Sequence, residues 1–138
     1  CSRGESHRAL ARKMGASWSG EDPAKMPVSA DSAIIFAPAG ELIPPALRAL
    51  KKGGTLSLAG IHMSDVPSMR YGECLFHEKN IRSVTANTRR DGEELLKEAA
   101  EIPIRPKVTL FPLAEANRAL QMLKADELQG SGVLVVAQ

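Results

Sequence analysis

The sequence predicts an α/β fold: an open, mainly parallel sheet with helices on both sides. Three observations predict it. Short apolar runs that suit buried strands alternate with amphipathic stretches that suit helices. One central segment reads strand, helix, Gly-Gly, strand, which is a βαβ unit with a right-handed parallel crossover. No internal repeat or low-complexity tract competes with that pattern.

The elements follow in order. ESHRALARKM (5–14) carries Leu10 and Met14 four residues apart, and Gly15 stands where a helix C-terminus favours positive φ. Ala16–Ser19 is predicted as a very short strand, and 20–30, with Pro23 and Pro27, as a loop. AIIFA (33–37) is a continuous apolar run, the pattern of a strand buried on both faces. ELIPPALRALKK (41–52) then forms a helix, with Pro44 and Pro45 in its first turn, where missing N–H groups cost little. Gly53–Gly54 ends it, and TLSLAGI (55–61) is the second strand of the unit.

Residues 62–80 are mixed, with a helical turn at Glu73–Glu78. IRSVTA (81–86) is a third strand. A helix opens at Asp91, with Leu95, Leu96, Ala99 and Ile102 facing inward. After Pro103 and Pro106, KVTLFPL (107–113) is a strand. AEANRALQMLKADE is a helix with Ala116, Leu120 and Leu123 on one face, and SGVLVVAQ (131–138) closes as a strand.

With 138 residues, 43% hydrophobic and 25% charged, the chain suits one compact domain with a core. A net charge of +2 and few aromatic residues (three Phe, one Tyr, one Trp) argue against a nucleic-acid partner. No apolar run approaches the roughly 18 residues of a membrane span, so no membrane partner is expected. Cys1 and Cys74 make no spaced pair, which points to a reducing, cytoplasmic setting.

Ligands of open parallel sheets bind outside the carboxyl ends of the strands. The segments to inspect are therefore Ser2–Arg3, Ala37–Gly40, Gly60–Met63 and Ala86–Arg90. Small residues there let a ligand approach the backbone, and tight strand-to-helix turns need them equally. Cys74 and His77 give a C-x-x-H spacing, but two ligands do not make a zinc site. The EELLKEAAE and KADE runs read as solvated helix faces.

The ordered blocks KMGA, DSAIIFAPAG, LRALKKGGTLSLAGI, TANTRRDGEELLKEAAE and FPLAEANRALQMLKADELQGSGVLVV resemble the C-terminal part of medium-chain, zinc-type alcohol dehydrogenases, across almost the whole chain. The resemblance implies a partial Rossmann doubly wound parallel sheet at 1–106. Residues 107–138 would be closing elements shared with the catalytic domain. In that family the first strand and the G-x-G-x-x-G helix precede what is here Cys1, CSRG being the end of the second strand. The catalytic zinc would be held by residues outside this segment. Lacking a central strand, the segment alone would expose an edge, so aggregation or edge pairing in an oligomer is expected.

The resemblance also implies site roles. Ser2 stands where NAD-specific relatives place an acid, with Arg3 beside it. A hydroxyl and a guanidinium suit the 2′-phosphate of NADP better than NAD, and His7 and Arg8 would add charge. The opposing reading makes Arg3 a solvated turn residue. Ala37, Pro38 and Gly40 would lie at the ribose and pyrophosphate side. Gly60, Ile61 and His62 would approach the nicotinamide, with His62 either a proton relay or a surface turn residue. Asn87, Thr88 and Arg89 would lie close to the cofactor, although Arg89 or Arg90 would equally pair with Asp91 or Glu94. The implied activity is hydride transfer between NADP(H) and an alcohol or aldehyde by a homodimer or tetramer, with the segment alone inactive. A zinc-free quinone or enoyl reductase and a non-catalytic nucleotide-binding module are the alternatives.

Overall fold

The β1 strand (Ala30–Ile35), helix α2 (Ile43–Arg48) and strand β2 (Leu50–Leu58) form the βαβ unit at the centre of the fold, and β1 and β2 pair in parallel. The structure is a computed structural model that describes residues 1–102 and 104–136. The chain divides into two compact units, Cys1–Asn87 and Thr88–Gln138.

The first unit holds a three-stranded parallel sheet in the order β1-β2-β3, where β3 is Asn80–Ser83. Its core lies on one face. Ile35 and Leu56 of the sheet meet Ile43, Ala46 and Leu47 of α2, together with Leu50 and Cys74. Cys74 comes from the one-turn helix α3 (Tyr71–Cys74). Lys79 Nζ donates to the Leu47 carbonyl at 2.6 Å, satisfying an acceptor at the end of α2.

Several boundaries differ from the sequence reading. Helix α2 stops at Arg48, after a 3-10 turn at Gly40–Leu42, and its prolines do occupy the first turn. Leu50–Lys52 already belong to β2, because buried Leu50 pairs with Ala30. Gly53–Gly54 therefore make an irregularity inside the strand: the register jumps from Ala30↔Leu50 to Ser32↔Thr55, and Gly53 has φ of 74°. Strand β2 ends at Leu58, which leaves 59–61 in a loop. Strand β1 is covered on one face only, with Ile34 59% exposed, since α2 and α3 pack against the Ile35 side.

At the N-terminus, α1 spans Glu5–Lys13, and Gly15 takes φ of 99° just beyond its end. Residues 1–4 form no strand, because no strand lies beside them among the described residues. Ala16–Ser19 is not a strand either. Ala16 N–H instead donates to the Ala11 carbonyl, extending the helix cap. A 3-10 turn at Pro23–Lys25 interrupts the predicted loop.

The second unit pairs β4 (Val108–Pro112) in parallel with β5 (Ser131–Val135) across helix α5 (Ala116–Lys124). Phe111 and Leu128 are its buried residues. The half-buried stripe of α5 runs through Ala116, Ala119 and Met122 rather than through Leu120 and Leu123, which stay exposed. Helix α4 (Arg89–Glu101) begins two residues before Asp91. Leu95 and Leu96 within it and Ile102 just past its end are exposed, because no element of its own unit covers them. Pro103 and the end of the predicted last strand, 137–138, lie outside the described residues.

Candidate functional site

Parallel pairing brings the carboxyl ends of three strands into one row, because Ile35 is opposite Leu58 and Leu58 is opposite Ser83. One further bond prolongs each ladder: Ala59 N–H to the Ile35 carbonyl (2.8 Å) and Val84 N–H to the Leu58 carbonyl (2.9 Å). The loops that follow therefore leave the sheet side by side. They contain Ala37, Pro38 and Gly40, then Gly60, Ile61 and His62, and then Asn87.

The first two loops touch. A Cβ on Gly60 would lie 3.3 Å from both the Ala37 carbonyl oxygen and the Pro38 Cα, so the backbones pass closely and a side chain there would push one of them by a few tenths of an ångström. Ser64 ties them further. Its Oγ accepts from the Gly40 N–H at 2.9 Å, and its own N–H reaches the Pro38 carbonyl at 3.4 Å. Gly40 is buried under the Ser64 and Asp65 carbonyls, where any Cβ would collide. Sequence reasoning did not single out Ser64, since its partner lies 24 residues earlier and no local pattern marks it.

Above this base the loops are open. The backbone N–H groups of Gly60, Ile61 and His62 have no protein acceptor among the described residues. They are left to solvent or to a ligand. Ile61 and His62 are exposed. Phe36, 73% exposed, rises at the end of β1 beside Ala37.

Ser2 and Arg3 stand at the start of the same unit, and their hydrogen bonds run to other residues than these loops. Ser2 N–H donates to the Gly20 carbonyl at 3.0 Å. Arg8 Nη1 donates to the carbonyls of Ser2 (2.8 Å) and Arg3 (2.7 Å). The Arg3 side chain is exposed, whereas Arg8 faces Glu5 and Glu21. The carboxyl of Glu5 is held below its ordinary range by its hydrogen bonds from Arg12 and then Arg8.

Thr88 and Arg89 open the second unit. Thr88 caps α4 in a reciprocal box: its N–H donates to Asp91 Oδ2 at 2.7 Å, and its Oγ1 accepts from Asp91 N–H at 3.2 Å. The Thr88 N–H foremost, and then the Thr88 hydroxyl donating to Asp91 Oδ2 at 2.7 Å, lower the Asp91 carboxyl. Arg89 is exposed, and it is Arg90 that pairs with Glu94, at 2.7 Å.

A metal has less to hold. No three His, Cys, Asp or Glu side chains cluster among the described residues. Cys74 is buried with Sγ toward the Pro44 carbonyl, and exposed His77 packs edge-on to Phe76. No helix among the described residues is long and apolar enough to cross a membrane.

No family model matches the chain. Over 134 residues it is 43% identical to a Mycobacterium tuberculosis protein named "Probable alcohol dehydrogenase AdhA", an alignment covering 97% of this chain and 39% of that protein. The fold matches that of CAD from Helicobacter pylori, solved with NADP(H), with a TM-score of 0.74 at 17% identity, over 96% of this chain and 39% of that one. It also matches Bacillus subtilis yhfP, solved with NAD, with a TM-score of 0.70 at 14% identity, over 96% of this chain and 45% of that one. The chain thus spans about two-fifths (39%) of the AdhA relative. The sequence likeness supports kinship of this chain with part of an alcohol dehydrogenase family protein, and the shared α/β fold agrees with it.

Proposed function

We propose that these residues form the cofactor-holding part of a nicotinamide-dependent alcohol dehydrogenase that uses NADP(H) to interconvert an alcohol and an aldehyde. The observation that carries the reading is the row of three strand ends, with the glycine loops of Gly40 and Gly60 in contact above it. That is where open parallel sheets take their ligands. The family relationship and the two neighbours solved with NADP(H) and NAD support the ligand class.

Each part of the site has a task in this reading. The free N–H groups of Gly60, Ile61 and His62 hydrogen-bond the carboxamide and fix which face of the ring is presented. Ala37, Pro38 and Gly40 give the ribose and pyrophosphate a surface without bulky side chains. Ser2 and the exposed Arg3 guanidinium meet the 2′-phosphate, a dianion that an acid at that point would repel. Asn87 adds to the cofactor's surroundings in the first unit, and in the second unit the Thr88 hydroxyl is committed to Asp91. When bound, the cofactor supplies the carbon that accepts or donates hydride.

The described residues bring no three metal-ligating His, Cys, Asp or Glu side chains together. In this reading the segment by itself is inactive. Residues 1–106 are read as cofactor domain and 107–138 as elements shared with the catalytic domain. A cytoplasmic homodimer or tetramer accompanies the reading.

The test is a fluorescence titration of the complete polypeptide that carries these residues with NADPH and with NADH, beside Arg3→Ala. NADPH should bind at least tenfold more tightly, and the variant should erase the difference, as loss of one charge-assisted hydrogen bond of roughly 1.5–3 kcal/mol requires. Binding of neither cofactor would overturn the oxidoreductase reading.

A further inference from the structure

Two arginines stand near the start of the chain in opposite circumstances. The Arg3 guanidinium is exposed, with no hydrogen bond or ion pair among the described residues. Arg8, one turn into α1, has only 14% of its side chain exposed and is fully engaged. Its Nη1 serves the Ser2 carbonyl (2.8 Å), the Arg3 carbonyl (2.7 Å) and Glu21 Oε1 (2.8 Å). Its Nε and Nη2 face Glu5 Oε2 at 2.9 and 2.7 Å. Glu5 is fixed in turn by Arg12, which also donates to Ser19 Oγ, each at 2.7 Å.

One side chain therefore ties the turn before the helix to the helix itself and to the loop at Gly20–Asp22. Two carboxylates answer its charge, and its donors are spent on backbone carbonyls. That is a poor arrangement for meeting a phosphate and a good one for fixing the path of residues 2–3. We propose that Arg8 is a positioning residue for cofactor choice: it holds the Ser2–Arg3 turn so that Arg3 is preorganised for a 2′-phosphate, without touching that phosphate itself. The inference rests on reading Ser2–Arg3 as the phosphate grip. Its physical basis is that a charged donor on a backbone ordered in advance loses less freedom on binding.

The experiment is a double-mutant cycle in the complete polypeptide, read as the ratio of NADH to NADPH dissociation constants. Arg3→Ala should lower that ratio roughly tenfold or more. Arg8→Ala should lower it roughly three- to tenfold by the cost of ordering the turn, with NADH affinity unchanged. The double variant should be no worse than Arg3→Ala, because Arg8 acts only through Arg3. Arg8→Gln is carried through the same cycle and decides the matter where Arg8→Ala fails to fold. An unchanged ratio in the Arg8 variants, or equal losses for both cofactors, overturns the inference alone and leaves Arg8 a structural brace. Additive losses in the double variant also overturn it, since Arg8 would then contact the phosphate directly. An unchanged ratio in Arg3→Ala removes the 2′-phosphate reading beneath it.

Discussion

Gly40→Ala tests the packing of the two strand-end loops. A Cβ at Gly40 would lie 2.6 Å from the Ser64 carbonyl oxygen and 2.8 Å from the Asp65 carbonyl carbon. Ordinary contact needs ~3.4 Å, so the shortfall is about 0.8 Å at the Ser64 oxygen and larger at the Asp65 carbonyl oxygen, which is nearer still. Both obstacles are backbone, and no rotamer change relieves them. Gly40 is not among the positive-φ glycines, so the penalty comes from packing rather than from dihedral strain. Overpacking of this kind costs roughly 1–3 kcal/mol. Displacing the loop also breaks the Gly40 N–H bond to Ser64 and leaves a buried donor unpaired, worth roughly another 1–3 kcal/mol. The two losses share one displacement and do not fully add, which gives ~2–4 kcal/mol in all. At about 3–5 °C per kcal/mol, the midpoint of thermal unfolding should fall by roughly 6–20 °C. Gly92→Ala, inside α4 with nothing within 4 Å of the new Cβ, is the matched control. It should stabilise by roughly 0.5–1 kcal/mol. A Gly40→Ala midpoint within about 2 °C of the parent would refute the packing account.

Ser64→Ala removes the acceptor without adding bulk. It should cost about 1–3 kcal/mol in the same unfolding measurement, and less than Gly40→Ala. Thr88→Ala, which deletes the α4 cap, should cost ~1 kcal/mol of stability, seen as loss of the far-ultraviolet helix signal at a lower temperature. Asp91 gives the same helix a pH dependence. Its folded carboxyl is depressed by the Thr88 N–H and hydroxyl, so its support is complete above about pH 4 and lost as pH falls through the lower folded value. Asp91→Asn should flatten that acid limb, and an unaltered acid limb in the variant would contradict the assignment.

Local patterns foretold the parts of the fold that depend on local chemistry. Prolines 44 and 45 fall in the first turn of α2, Gly15 follows α1 with positive φ, and Ala33–Ile35 of AIIFA pair in parallel with the strand after the helix, whereas Phe36 and Ala37 lie beyond the strand end. What local patterns could not foretell is where pairing competes with helix extension. LRALKK continues a helical period, yet Leu50 is drawn into the sheet beside Ala30, and the Gly-Gly that reads as a helix stop becomes a kink in the strand. Leucine stripes misled for a related reason. A periodic face shows what a helix is able to bury, and Leu95, Leu96, Leu120 and Leu123 remain exposed within their unit.

The candidate site divides along the same line. Small residues after apolar strands are visible in sequence, and Ala37, Pro38, Gly40, Gly60, Ile61 and His62 do emerge side by side, because a parallel register aligns strand ends automatically. Contacts that fix those loops in place are invisible there, because they join residues far apart in the chain. Ser64 reaches back 24 residues to Gly40, and Glu21 lies 13 residues beyond Arg8. His7 and Arg8 looked alike in sequence as added charge for a phosphate. Two carboxylates and two backbone carbonyls occupy Arg8, whereas Arg3 stays an exposed cation of the turn. A charged residue's role at such a site is therefore decided by what already neutralises it, and substitution at Arg3 and Arg8 separates the two roles.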